Sequence, residues 1–216
     1  MKSLKVPFLS LLDTATAKEA AKTVSESPLP FEEIGEVNWA SSFAYKPGAK
    51  FKIARSTDSL FLYYRIEENS VRALYANDQE PVWQDSCVEF FCKLPEQPFY
   101  RNFEFNCIGT CLAFAREGRD KNLKPFDANQ LRKIERHASL GNQPFDEKHQ
   151  KTAWELCVKI PFALLDINAE KLPEKILANF YKCGDGTISP HYVSWNPVKT
   201  ENPDFHRPEF FGALYF

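Results

Sequence analysis

The segment WQDSCVEFFC at residues 83–92, followed after a short proline-bearing turn by YRNFEFN at 100–106, decides how this chain folds. Side chains alternate across a strand, so in Asn102 to Asn106 the two phenylalanines share one face while Asn102, Glu104 and Asn106 share the other. Asparagine is depleted in strands, and a solvated face would favour Thr or Lys. A ligand-facing sheet explains two asparagines and a glutamate in one row better than bulk solvent does, with a solvated charge pair as the plain alternative. The same alternation puts Glu89 with Cys87 and Phe91, which makes it a candidate buried acid paired with an arginine.

Working outward, further segments carry the same period. Leu60, Leu62, Tyr64 and Ile66 oppose Phe61, Tyr63 and Arg65 after a Ser56-Thr57-Asp58-Ser59 turn, which signals a hairpin with the strand around Phe51 and Ile53. Trp154, Leu156, Val158 and Ile160 read as one half-buried antiparallel strand ended by Pro161. Strands are also expected at 110–116, 134–138, 176–182, 191–195 and 212–216. Before them, DTATAKEAAKTV at 13–24 predicts a short helix with Asp13 as its N-cap. The expected fold is all-β, an antiparallel β-sandwich of immunoglobulin-like or jelly-roll-like architecture with one short N-terminal helix. We expect a single domain over 1–216, made of an N-terminal extension (1–30) and the sandwich (31–216).

Composition narrows the partners. The 27 basic and 29 acidic residues are interspersed and leave a formal net charge of -2, so neither nucleic acid nor an anionic membrane is expected as a partner. No apolar run reaches a membrane-spanning length, and the interrupted N-terminal patch does not read as a signal peptide. The six cysteines lie mostly in strand-like apolar runs, which favours reduced thiols and a cytoplasmic location. Cys107 and Cys111 lie in one segment without a second ligand pair, so no metal site is expected.

Several pieces in order carry a resemblance: LFLYYRIEE (60–68), WQDSCVEFF, FEFNCIGT (103–110), WELCVKIPFALL (154–165), SWNP (194–197) and PEFFGALYF (208–216). Together they resemble the family 9 carbohydrate-binding modules and the wider group of DOMON-like sandwiches, over roughly residues 35–216. The resemblance implies a sandwich that binds glycan ends, with the sugar held between tryptophans and hydrogen-bonded from a concave sheet. It also implies structural calcium, for which the chain offers no close run of acidic residues; no other cofactor is expected.

On this reading Trp83 and Trp195, both at strand ends, stack on the sugar, unless either indole fills the core instead. Asn102, Glu104 and Asn106 supply hydrogen bonds. Arg65 is the partner for Glu89 or for sugar hydroxyls, Arg72 is a second contact, and His206 and Arg207 are rim contacts or members of a structural ion pair. The expected function is non-catalytic binding of a mono- or oligosaccharide in carbohydrate catabolism. The alternative is a glycoside hydrolase or lyase using Glu89 and Glu104 as a carboxylate pair. A haem-binding DOMON-like carrier is disfavoured because the only methionine is Met1.

Overall fold

The computed structural model describes residues 1–216 as two packed β-sheets and a small two-stranded sheet that pairs Val71–Ala73 with Phe145–Lys148. In the larger sheet Ser3–Lys5, Gly212–Tyr215, Lys175–Cys183, Cys87–Lys93, Tyr100–Asn106, Cys111–Arg116 and Lys124–Pro125 lie side by side, with Tyr192–Ser194 and Glu36–Val37 off the Lys175–Cys183 strand. The smaller sheet runs Glu135–Ala138, Thr152–Pro161, Ser59–Glu68, Gly48–Arg55 and Glu32–Glu33. Pairing is antiparallel except where Ser3–Lys5 runs parallel to Gly212–Tyr215. That contact stitches the first residues of the chain to the last strand.

Two-residue periodicity dictates the layers. Val88, Phe90, Phe103, Phe105 and Phe180 face inward from the large sheet and meet Phe51, Leu62, Tyr64, Trp154 and Val158 from the small one. Phe51 stacks on Phe180 at 3.8 Å between ring centres, so the two sheets are joined ring to ring at their middle. This interior holds one buried ion pair, Lys182 with Glu68. Lys182 Nζ lies 2.9 Å from Glu68 Oε2 and 2.7 Å from His191 Nε2, while the Trp154 indole donates to Glu68 Oε1 at 2.6 Å.

The helix spans Ala17–Glu26, and its N-cap is Thr16, not Asp13. Thr16 and Glu19 form a reciprocal capping box, whereas Asp13 accepts from the Thr57 amide and hydroxyl in the hairpin turn. Ala20 and Val24 bury against Ala54, Phe61 and Tyr63, closing the outer face of the small sheet. The long loop after Glu117 also folds locally into a second short helix, Ala128–Arg132, started by a capping box of Asp127 and Gln130. No helix is long and apolar enough to cross a membrane.

Candidate functional site

The outer face of the large sheet carries the polar row. Register places Cys87 opposite Asn106, Glu89 opposite Glu104 and Phe91 opposite Asn102; on the other side Cys87 faces Cys183 and Glu89 faces Tyr181. This face is roofed rather than open. The chain from Val198 to Phe211 folds back over it and builds a second apolar cluster in which Phe205 stacks on Tyr181 at 4.1 Å and meets Trp39 at 5.8 Å. The roof is incomplete. It leaves a cleft of about 480 Å³ floored by Glu89, Glu104, Arg116 and Cys183 and walled by Trp83, Phe114, Tyr192, Phe205 and His206.

Trp83 is held at the cleft by its backbone. It sits in a single 3-10 turn, Val82–Gln84, anchored by buried Val82 on one side and by Asp85 on the other. The Asp85 carboxylate accepts from the Leu74 and Tyr75 amides and from Asn106 Nδ2, with the Arg72 guanidinium 3.4 Å away. From the opposite strand end the Asp185 and Gly186 amides donate to the Trp83 and Gln84 carbonyls at 3.2 and 2.9 Å. A Cβ on Gly186 would come within 2.8 Å of the Gln84 carbonyl oxygen, so this close approach needs glycine. The indole is left 37% exposed.

The floor is electrostatically unusual. Burial raises the Glu104 carboxyl to about 7, against the pull of Arg116 and of the Asn102 amide that donates to it at 2.9 Å. Glu89 is raised further, first by burial and then by the Glu104 charge beside it. Asp185 is raised to about 6 by burial. His206, whose Nδ1 lies 3.0 Å from the Tyr100 hydroxyl, is lowered to about 3 by burial and by Arg116 and Arg119, so it is neutral. Two buried atoms of floor residues, Glu104 Oε2 and Arg116 Nε, have no hydrogen-bond partner in the protein.

Seven of the nine expected site residues lie at, behind or beside one cleft, in three groups. Trp83, Glu104 and His206 line one cleft, and Asn102 lies fully buried beneath it as the donor that orients Glu104. Asn106 and Arg72 act one layer back: Asn106 is consumed by Asp85, the Tyr75 carbonyl and the turn at Ile108 and Thr110, and Arg72 by Asp85 and the Gly186 carbonyl. Arg207 lies beside the cleft in an ion pair with Asp204 at 2.6 Å.

Two expectations are corrected. Trp195 is fully buried in the main core, edge-on to Phe51 and Phe180, because its strand turns the indole inward between the sheets; it offers no stacking platform. Arg65 is on the small sheet, paired with Glu155 at 2.9 Å, since the hairpin that carries it belongs to the other layer from Glu89. It lines a separate groove of about 400 Å³ that has no aromatic residue.

Sequence reasoning missed Arg116, Asp185, Tyr192 and Phe205. For Arg116 a signal existed: Leu112, Phe114 and Arg116 share the outward alternation of a strand adjoining the polar row. Phe205 reaches the cleft only through the fold-back of the roof, and Tyr192 only through the pairing of its short strand with Cys183.

The only group of three or more His, Cys, Asp or Glu side chains near enough to share an ion is Cys87, Glu89 and Cys183, and two thiols do not suit calcium, a hard, oxygen-seeking cation.

The model of carbohydrate-binding family 9 matches residues 19–216. A crystal structure from Bacteroides uniformis ATCC 8492, described as "a putative carbohydrate-binding protein", is 33% identical over 100% of this chain and 99% of its own, with a TM-score of 0.92. Two structures of a family 9 module from Caldicellulosiruptor kristjanssonii share the fold. The one in complex with glucose is 12% identical, covers 99% of this chain and 95% of its own, and has a TM-score of 0.61. The one in complex with cellotriose is 11% identical, covers 99% and 93%, and has a TM-score of 0.57. No curated protein sequence matches. With its family model spanning all but the first 18 residues, the chain belongs to carbohydrate-binding family 9.

Proposed function

We propose that this protein binds a mono- or oligosaccharide in the Trp83 cleft without transforming it. One observation carries the reading: a partly exposed indole stands in the same cleft as buried, unpartnered Glu104 Oε2 and Arg116 Nε. A sugar presents an apolar C–H face to the first and hydroxyl donors and acceptors to the second. An unpartnered buried polar atom costs about 1–3 kcal/mol, so a ligand that satisfies it is favoured over an apolar one of equal size. The cleft volume of about 480 Å³ lies within the range of small-molecule sites. Glucose and cellotriose, the ligands of the C. kristjanssonii modules, are the first sugars to test.

Calorimetric titration with both sugars measures this directly. Stacking contributes about 0.5–1.5 kcal/mol beyond buried area, so Trp83→Ala weakens binding by at least about twofold to tenfold. Unchanged affinity in Trp83→Ala would remove the cleft from the account. A second reading rests on the direct pairing of Glu89 with Glu104, two carboxyls of raised pKa on one floor, which is also the raw material of a glycosidase. Release of shorter sugars from cellotriose, abolished in Glu104→Gln, would establish that reading; intact cellotriose after prolonged incubation supports binding alone.

A further inference from the structure

Beneath the cleft two cysteines face each other. Cys87 and Cys183 are register partners on neighbouring strands, and Glu89 lies on the same face two residues beyond Cys87. One ligand atom from each of the three lies within 4.8 Å of the others, and all three residues are buried. Glu89 and Cys183 also line the cleft, which gives an ion a path from solvent.

We propose that Cys87, Glu89 and Cys183 form a three-ligand site for a thiophilic divalent cation, of which Zn²⁺ is the natural class, with its fourth position open to the cleft. Two soft sulfurs and one carboxylate oxygen match the ligand preferences of Zn²⁺, and three protein ligands with an open position is a recognised arrangement for it. Tetrahedral Zn–S bonds of about 2.3 Å place ligand atoms roughly 3.5–4 Å apart, so side-chain rotations of about 1 Å close the set. The Cys183 thiol already donates to Glu89 Oε1 at 3.0 Å, so two of the three ligands are in contact before an ion enters. All three ligands project from central strands of the large sheet, so their backbones are fixed in advance.

The surroundings favour a cation. Glu104 is the register partner of Glu89 and Asp185 lines the same cleft, so two further carboxyls stand close to the three ligands. Zn²⁺ held by two thiolates and a carboxylate releases both thiol protons, with any proton on Glu89, to solvent and leaves one excess negative charge beside Arg116 of the cleft floor.

The test uses the full chain, metal-free and kept reduced by a phosphine. Cd²⁺ titration of the wild type should give a thiolate-to-metal charge-transfer band saturating at one equivalent, and competition with a chromophoric chelator should show Zn²⁺ bound at the same stoichiometry. Cys183→Ser and Cys87→Ser should each lose more than the ~10–100-fold in affinity that outer-shell partners of metal ligands carry, and Glu89→Gln should bind more weakly than wild type. Absence of the band in the wild type overturns the proposal whether or not any variant folds, as does unchanged Zn²⁺ affinity in both serine variants. The titrations contain no sugar, so failure of the saccharide reading and failure of this one register separately.

Discussion

Replacing Trp195 with alanine separates a core tryptophan from a binding one. The side chain is fully buried, with its ring 6.2 Å from Phe51 at 85° and 5.7 Å from Phe180 at 82°, and its indole N–H donates to Glu32 at 3.2 Å. Truncation leaves a cavity between two sheets that are pinned by backbone ladders on every side, so little collapse can refill it. Losses of this kind cost about 3–5 kcal/mol, which is a large share of the roughly 5–15 kcal/mol that holds a domain together. For a chain of this length each kcal/mol moves the midpoint by about 2–4 °C, so Trp195→Ala should melt about 6–20 °C below wild type. Thermal unfolding followed by near-ultraviolet circular dichroism measures the shift, with Trp83→Ala, 37% exposed at the cleft, as the comparison that stays close to wild type. A Trp195→Ala protein that melts near wild type yet binds no sugar would refute the core assignment and restore the indole as a platform.

Four other outcomes follow from the structure. Glu104 is raised from 4.5 to about 7, so the unfolded chain gives up this proton before the folded one does, and stability falls as pH rises between those values; urea midpoints across that window should drop in wild type and drop less in Glu104→Gln. Lys182→Met strands the buried Glu68 carboxylate and should cost about 3–5 kcal/mol in urea unfolding, part of it recovered when Glu68→Gln is added. Thr16→Ala breaks the capping box of the N-terminal helix and should cost about 1 kcal/mol with sugar affinity unchanged. Gly186→Ala forces the turn away from the Gln84 carbonyl and should weaken saccharide binding by shifting Trp83, which calorimetry would show as a lower affinity in a folded protein.

The strands were legible because each half-buried strand writes its layer into period two. Phe103 and Phe105 face the core while Glu104 faces the cleft, as alternation requires. Alternation does not say which sheet a strand joins, and that is why Arg65 looked like a partner for Glu89 although ten ladder pairs tie its strand to Thr152–Pro161 in the other layer. It also fails at strand ends. Trp83 and Trp195 are alike in sequence context, yet the first stands on a turn anchored by Asp85 and the second lies within the inward register beside Phe180. The polar row was visible, but its division of labour was not: Asn106 is spent on holding Asp85 and a turn, while Glu104 is left with an unused oxygen. The opposition of Cys87 and Cys183 depends on pairing between strands far apart in the chain, which no local spacing encodes.

A crystal structure of the protein soaked with cellotriose tests the central claim most directly. The account predicts a sugar ring against the Trp83 indole with hydroxyls hydrogen-bonded to Glu104 and Arg116. A sugar bound instead in the groove lined by Lys46, Arg65 and Glu67, with the Trp83 cleft holding only water, would contradict it.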